Sequence, residues 1–266
     1  MNRINALFKR LKEERKKAFI VYITAGDPNL ETTKKLIKEL EKNGVDLIEL
    51  GVPFSDPMAD GPTIQRASQR ALSGGTSIKS IFEAVHSVRK SVKLPLVFMT
   101  YYNPVLSYGP EKFVHDCKTA GVDGVIIPDL PPEEGKALAD LSAKQDFSII
   151  FLAAPTSSAK RLKIIAKKSS GFIYYVSLTG VTGERRNLAP DTVSSIRKLK
   201  KITKKPVCVG FGISRPSQAQ RLSRIADGVI VGSAIINIIE RNKGKKDFYK
   251  NVNRFTKSFE RAVHKR

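Results

Sequence analysis

The chain has 266 residues, 41% of them hydrophobic, and a formal charge of +22 from 47 Lys and Arg against 25 Asp and Glu. That length suits one large α/β barrel or two small domains, and no apolar run approaches the roughly 20 residues of a membrane helix. Two cysteines, Cys117 and Cys208, lack C-x-x-C or His spacing, which weighs against a disulfide framework or a zinc site and toward a reduced, cytoplasmic protein.

The charge needs an interpretation of its own. Lys and Arg recur through residues 9–17, 34–42, 160–168, 197–205 and 241–250, alternating with apolar residues at helical spacing. That is the pattern of solvated helix faces. Zinc-finger spacing and aromatic RNA-stacking motifs are missing, so nucleic acid is not expected as a partner. A basic surface does draw anionic substrates and acidic partners. His86, His115 and His264 form no local ligand pair and read as helix-face residues; no metal is expected.

Ile4, Leu7, Phe8 and Leu11 have amphipathic spacing and predict an N-terminal helix rather than a signal peptide. Residues 18–24 read as a buried strand closed by Ala25-Gly26-Asp27-Pro28, and 31–42 as a helix stopped by Asn43-Gly44. A strand over 46–50 runs into a long acidic loop. Thr63 is expected to cap a helix through Leu72, and Ser77 another over 78–90. The alternation continues with strands at 96–100, 124–127, 148–153 and 172–177 and helices at 110–120, 133–144 and 158–168. A loop at 178–188 precedes a helix at 190–201, with Pro at a favourable first position. Strands at 206–209 and 227–231, a helix at 215–225, a short helical piece at 234–240 and a closing helix at 247–263 complete the chain.

About eight strands, each followed by helix and too apolar to have a solvated face, predict a (β/α)8 TIM barrel with an extra N-terminal helix, one domain over 1–266. A doubly wound open sheet would more often show a glycine-rich fingerprint after its first strand. Glu49 stands out. Strand alternation puts Leu47 and Glu49 on one face and Ile48 and Leu50 on the other. Glu49 is either an edge-strand acid facing water or an acid aimed into an active site. Asp60, in the loop beyond, is either a turn residue or a second carboxylate for the same pocket. Three glycine-rich turns, Thr179 to Gly183, Gly210 to Ser214 and Gly232-Ser233-Ala234, follow the last three strands. Glycine there permits a tight turn; at successive strand ends it also lets backbone N–H groups approach a phosphate. The helical piece at 234–240 fits the short extra helix of such a site.

Residues 49–65, ELGVPFSDPMADGPTIQ, resemble the signature of the tryptophan synthase alpha chain family. The likeness extends through residues 19–28, 99–104, 128–131, 176–183, 210–214 and 231–236. It implies a lyase that cleaves indole-3-glycerol phosphate to indole and glyceraldehyde 3-phosphate, with Glu49 as acid/base and Asp60 as second carboxylate. By position, Gly183, Gly212, Gly232 and Ser233 would hold the phosphate, with Phe211 beside them. Tyr22, Ile64, Thr100 and Ile127 would line the indole pocket, with Tyr174 near Glu49. The family commonly has Phe where Tyr22 stands, so this chain adds a hydroxyl that needs a partner if buried. Thr182 would order a lid loop over 178–188. The resemblance further implies no cofactor in this chain, a beta-chain partner carrying pyridoxal phosphate in an alpha2beta2 tetramer, and contact with it through Pro53, Phe54, Asp56 and Pro57. Other phosphate-handling barrels, such as a phosphoribosyl isomerase, share the glycine turns but not residues 49–65. A non-catalytic activator of the beta chain would not need both carboxylates.

Overall fold

The computed structural model describes residues 2–176, 190–210 and 212–265. Its strands are β1 (Ala18–Thr24), β2 (Leu47–Gly51), β3 (Leu96–Met99), β4 (Gly124–Ile126), β5 (Ser148–Ile150), β6 (Leu152–Ala153), β7 (Ile173–Val176), β8 (Val207–Gly210) and β9 (Gly228–Val231). Its helices are α1 (Arg3–Glu13), α2 (Leu30–Lys42), α3 (Pro62–Ser73), α4 (Ile78–Arg89), α5 (Tyr102–Tyr108), α6 (Pro110–Ala120), α7 (Lys136–Lys144), α8 (Ala159–Lys168), α9 (Pro190–Ile202), α10 (Pro216–Ser223), α11 (Ser233–Asn242) and α12 (Phe248–His264).

Every strand pairing is parallel, in the order β5-β4-β3-β2-β1-β9-β8-β7-β6. The two ends of that order are consecutive in the chain, separated only by Phe151, so the sheet closes into a barrel of eight staves. The sequence predicts one strand over 148–153; the structure splits it. The Phe151 amide donates to Ser169 Oγ at 3.2 Å instead of to a strand, while its carbonyl accepts from Tyr174 N at 3.2 Å and carries the ladder across to β7. Helix α5 was not foreseen. Its first amide, that of Tyr102, donates to both carboxylate oxygens of Asp129 at 2.9 and 3.1 Å, from the loop after the neighbouring strand. An acid at a helix N-terminus satisfies an orphan donor and the dipole, and that partner is invisible locally. The helix expected from residue 133 starts at Lys136, after a turn in which Gly135 N donates to Pro131 O.

Alternation along the strands separates two cores. Inward-facing Ala18, Ile20, Leu47, Val97, Ile126, Ile150, Phe172, Tyr174, Cys208 and Ile230 cluster with Ile4, Leu7, Phe8 and Leu11 of α1. Helix α1 therefore plugs the N-terminal mouth of the barrel, with the Phe8 and Phe172 rings 5.8 Å apart. Outward-facing Phe19, Val21, Ile23, Ile48, Leu50, Phe98, Val125 and Ile149 merge with the apolar sides of the surrounding helices.

The floor repeats one device. Asp46, Asp123 and Asp227 each directly precede a strand, and each accepts a backbone amide from a neighbouring stave: Phe19 at 2.8 Å, Leu96 at 2.9 Å and Val207 at 3.1 Å. Each also carries cations, among them Lys17 and Lys200 on Asp227. Asp46 meets His264, whose Nε2 lies 3.0 Å from Asp46 Oδ2 and whose Nδ1 lies 3.0 Å from Glu260 Oε1. His264 is thus not the plain helix-face residue expected; it clamps the end of α12 onto the barrel. Its pKa is raised above the ordinary 6.5, first by the hydrogen bond to Asp46. A raised histidine stabilises fully below its unfolded pKa and loses that contribution as pH rises through the folded pKa. His264→Gln is expected to lower the melting temperature by a few degrees near about pH 6 and by much less near about pH 9. Equal losses in thermal melts at both pH values would refute the charge clamp.

Candidate active site

Glu49 lies on β2 between inward-facing Leu47 and the C-terminal end of the strand, and it is wholly buried. Among the described residues, neither carboxylate oxygen has a hydrogen-bond partner. Burial alone raises its pKa from 4.5 to about 8. An unpartnered acid inside a barrel is destabilising, and it is held neutral at pH 7. The edge-strand alternative is ruled out by the closure of the sheet around it.

The chain leaves β2 at Gly51 and returns as α3. Gly61 is the N-cap of α3 and Pro62 sits in its first turn, so the side-chain cap expected from Thr63 is not made. Thr63 Oγ1 lies 3.3 Å from Asn237 Oδ1 on α11. Asp60, just before the cap, is half-buried, and burial raises it to about 6 against the opposing effect of a hydrogen bond from Tyr101. The Tyr101 hydroxyl also accepts from Ala59 N at 2.9 Å. Tyr101 therefore grips the Asp60 loop from the end of β3, and sequence reasoning missed it. The signal was an aromatic residue at a strand's C-terminal end, but only the adjacency of β2 and β3 gives it meaning.

Two further phenols enter from opposite sides. Tyr22 on β1 stands in register with Glu49 and is almost fully buried. Tyr174 on β7 is buried, and its pKa is pushed up by burial first and then by the Glu49 charge. Both rings need side-chain-free neighbours. A Cβ on Gly51 would stand 2.1 Å from the Tyr22 hydroxyl, and one on Gly210 would stand 2.3 Å from the Tyr174 hydroxyl. The structure thus brings Glu49, Asp60, Tyr22, Tyr101 and Tyr174 into one electrostatically linked group.

At the far side of β1, Gly232 caps α11 and Ser233 opens it; no side-chain cap satisfies the helix's first amides. Orphan donors and the dipole make such an end able to receive an anion. Gly232 also backs onto the Tyr22 ring, where a Cβ would stand 3.5 Å from Tyr22 Cβ. Gly212 turns with φ +69, a conformation L side chains rarely adopt. Helices α3 and α11 are tied together. Arg70 binds Asp27 through two 2.8 Å bonds and Glu240 at 2.7 Å, and Arg66 binds Glu240 at 3.1 and 3.0 Å. This links the helix that follows Asp60 to the helix that opens at Ser233.

Ile64, Thr100 and Ile127 are buried. Ile127 lines a cavity of about 390 Å3 with Asp129, Leu130, Leu152 and Arg161 at the ends of β4 and β6. Of the expected partner-contact residues, Pro53 is buried, Phe54 and Pro57 are half-buried and Asp56 is exposed. Phe54 packs on Tyr101 at 5.5 Å, and neighbouring Met58, which sequence reasoning passed over, is 90% exposed. Gly183, Phe211, and Thr182 with all of its loop over 178–188 lie outside the described residues.

A parallel barrel with two carboxyls of separated pKa at one rim, next to a helix N-terminus, has the features of an acid–base enzyme. The sequence pattern of the tryptophan synthase alpha chain family matches residues 8–264. The tryptophan synthase alpha chain of Geotalea daltonii is 51% identical over 245 residues, 92% of this chain and 93% of its own. That of Caldanaerobacter subterraneus is 47% identical over 99% of this chain and all of its own. The crystal structure of tryptophan synthase subunit alpha from Legionella pneumophila superposes with a TM-score of 0.92 at 41% identity, covering 99% of this chain and 98% of its own. The chain belongs to the tryptophan synthase alpha chain family, and its class is lyase.

Proposed function

We propose that Glu49 and Asp60 carry the cleavage of indole-3-glycerol phosphate into indole and glyceraldehyde 3-phosphate, the reaction of the family to which the chain belongs. The observation that supports these roles is the pair of environments: one carboxyl fully buried and neutral at pH 7, the other half-buried and ionised there.

Breaking the carbon–carbon bond at indole C3 is a retro-aldol step. C3 must gain a proton, the side-chain hydroxyl must lose one, and positive charge near the ring nitrogen must be stabilised. Glu49, with a pKa near about 8, is poised to give the first proton and, once ionised, to take the second. Asp60 accepts the indole N–H and stabilises the charge developing there. A hydrogen bond from Tyr101 fixes its direction. The first amides of α11, with Gly232, Ser233 and Gly212, receive the phosphate. Tyr22, Ile64, Thr100, Ile127 and Tyr174 enclose the apolar ring.

Indole is small and apolar and is lost if released to water. The alpha chain family works with a beta chain that receives it. We assign an alpha2beta2 tetramer, with pyridoxal phosphate held by the beta chain and contact through Phe54, Asp56, Pro57 and Met58. Among the described residues no helix is long and apolar enough to cross a membrane. A single barrel unit over 1–266, working in the cytoplasm, fits this reading.

The test is indole release from indole-3-glycerol phosphate, with and without the beta chain. Asp60→Asn keeps the shape but removes the charge, and kcat is expected to fall about 10²- to 10³-fold, with folding checked by circular dichroism. Turnover at the wild-type rate would sink the role of Asp60.

A further inference from the structure

We propose that the Tyr22 hydroxyl is a positioning group of this site: a phenol that donates to the Asp60 carboxylate in the substrate-bound enzyme, held in place by Thr24 and by the missing side chain of Gly51. The inference rests on the assignment of Asp60 above.

Four observations carry it. Parallel register sets Tyr22 beside Glu49, both inside the barrel. The phenol then leans toward the C-terminal rim: its oxygen lies 2.1 Å from where a Cβ on Gly51 would stand, two residues beyond Glu49. That is where the chain departs for the Asp60 loop. Thr24, buried and in register with Gly51, donates from Oγ1 to the Tyr22 oxygen at 3.4 Å. With a lone pair so occupied, the phenol's own proton is left for a second acceptor.

The groups facing it are Glu49 from β2, Asp60 from the following loop, Tyr101 from the end of β3 and Tyr174 from β7. Glu49 is neutral at pH 7, and its oxygens make no hydrogen bond to the described residues. Tyr101 already donates to Asp60. Asp60 is the charged acceptor, and among these groups its charge acts most strongly on the Tyr22 phenol, ahead of Glu49. A phenol–carboxylate bond is charge-assisted and stronger than one between neutral groups. Two phenols, Tyr22 and Tyr101, would then hold Asp60 ionised and aimed at the indole N–H. Phenylalanine at position 22 fills the same space and supplies no donor.

A donor to the ionised form lowers a carboxyl pKa, so its removal raises it. In Tyr22→Phe, assayed as the full chain with the beta chain, the acid limb of the kcat profile is expected to move up by about half to one pH unit. Turnover near about pH 7 should fall roughly three- to tenfold, with little change in KM. Carbon-13 NMR of the Asp60 carboxyl, with a non-cleavable analogue of indole-3-glycerol phosphate bound, should show the same upward shift. Thr24→Val should shift it in the same direction, and Thr24→Ser should restore the wild-type titration. If Tyr22→Phe does not fold, the Val and Ser pair at Thr24 decides. An Asp60 titration and acid limb unmoved by Tyr22→Phe, or alike in the two Thr24 variants, overturns the proposal. Wild-type turnover in Asp60→Asn would overturn the role of Asp60 instead, and the NMR shift would still report the Tyr22 contact.

Discussion

Glu49→Gln is expected to lower kcat by about 10²- to 10⁴-fold and, at alkaline pH, to make the protein more stable. Both effects have one cause. Glu49 is fully buried, its two oxygens unpartnered among the described residues, and burial raises its pKa from 4.5 to about 8. The folded state therefore holds this proton to higher pH than the unfolded state does. For an acid raised in this way, stability is greatest below the unfolded pKa, declines as pH climbs from 4.5 toward about 8, and is flat above. The accumulated cost is of the order of a few kcal/mol. Glutamine has nearly the same shape and no charge to desolvate, so it escapes that decline. Melting temperatures of the two proteins should nearly coincide near about pH 5 and diverge by several degrees near about pH 8.5, the variant being higher. An indole-release assay reads the loss of turnover. A variant that is inactive because it is misfolded would be less stable at both pH values; a folded variant that turns over at the wild-type rate would remove Glu49 from the mechanism.

The sequence exposed this residue because strand alternation is a local property. Leu47 and Glu49 face the interior cluster side, and Ile48 and Leu50 face the helices, as period-two patterning demands. The barrel was legible for the same reason, since the strands are apolar on both faces. What escaped depends on contacts between distant staves. Tyr101 matters because β3 lies beside β2, and α5 forms because Asp129 reaches it from another loop. Thr63 has the chemistry of a cap, but Gly61-Pro62 starts the helix two residues earlier. The break at Phe151 follows from a hydroxyl eighteen residues along, Ser169. His264 looked like a solvated helix residue because its partner Asp46 lies at the other end of the chain.

Asp123→Ala is expected to cost about 3–5 kcal/mol of stability while leaving the catalytic constants of the folded enzyme near wild type. Asp123 is a buried floor carboxylate. One oxygen accepts Arg89 Nη2 at 2.9 Å and Leu96 N at 2.9 Å, and the other accepts Arg3 Nη1 at 2.9 Å. It thereby joins α1, α4, β3 and β4 around the mouth that α1 plugs. Arg89 is the reason the loss is large. Its guanidinium is mostly buried, and burial lowers its pKa to about 10 against the pull of Asp123. It also donates to the carbonyls of Gly121 at 2.7 Å and Leu94 at 2.6 Å. Removing Asp123 leaves a buried cation without its counter-charge, which costs more than the pair contributes. Asp123→Ala with Arg89→Met should therefore lose less than the sum of the single losses, and urea unfolding of the four proteins measures that coupling. Additive losses would show that Asp123 acts through Leu96 and Arg3 instead. The floor and the rim are thus expected to respond in opposite ways. At the rim, Glu49 lowers stability in the service of chemistry, and at the floor, Asp123 holds the barrel closed beneath it.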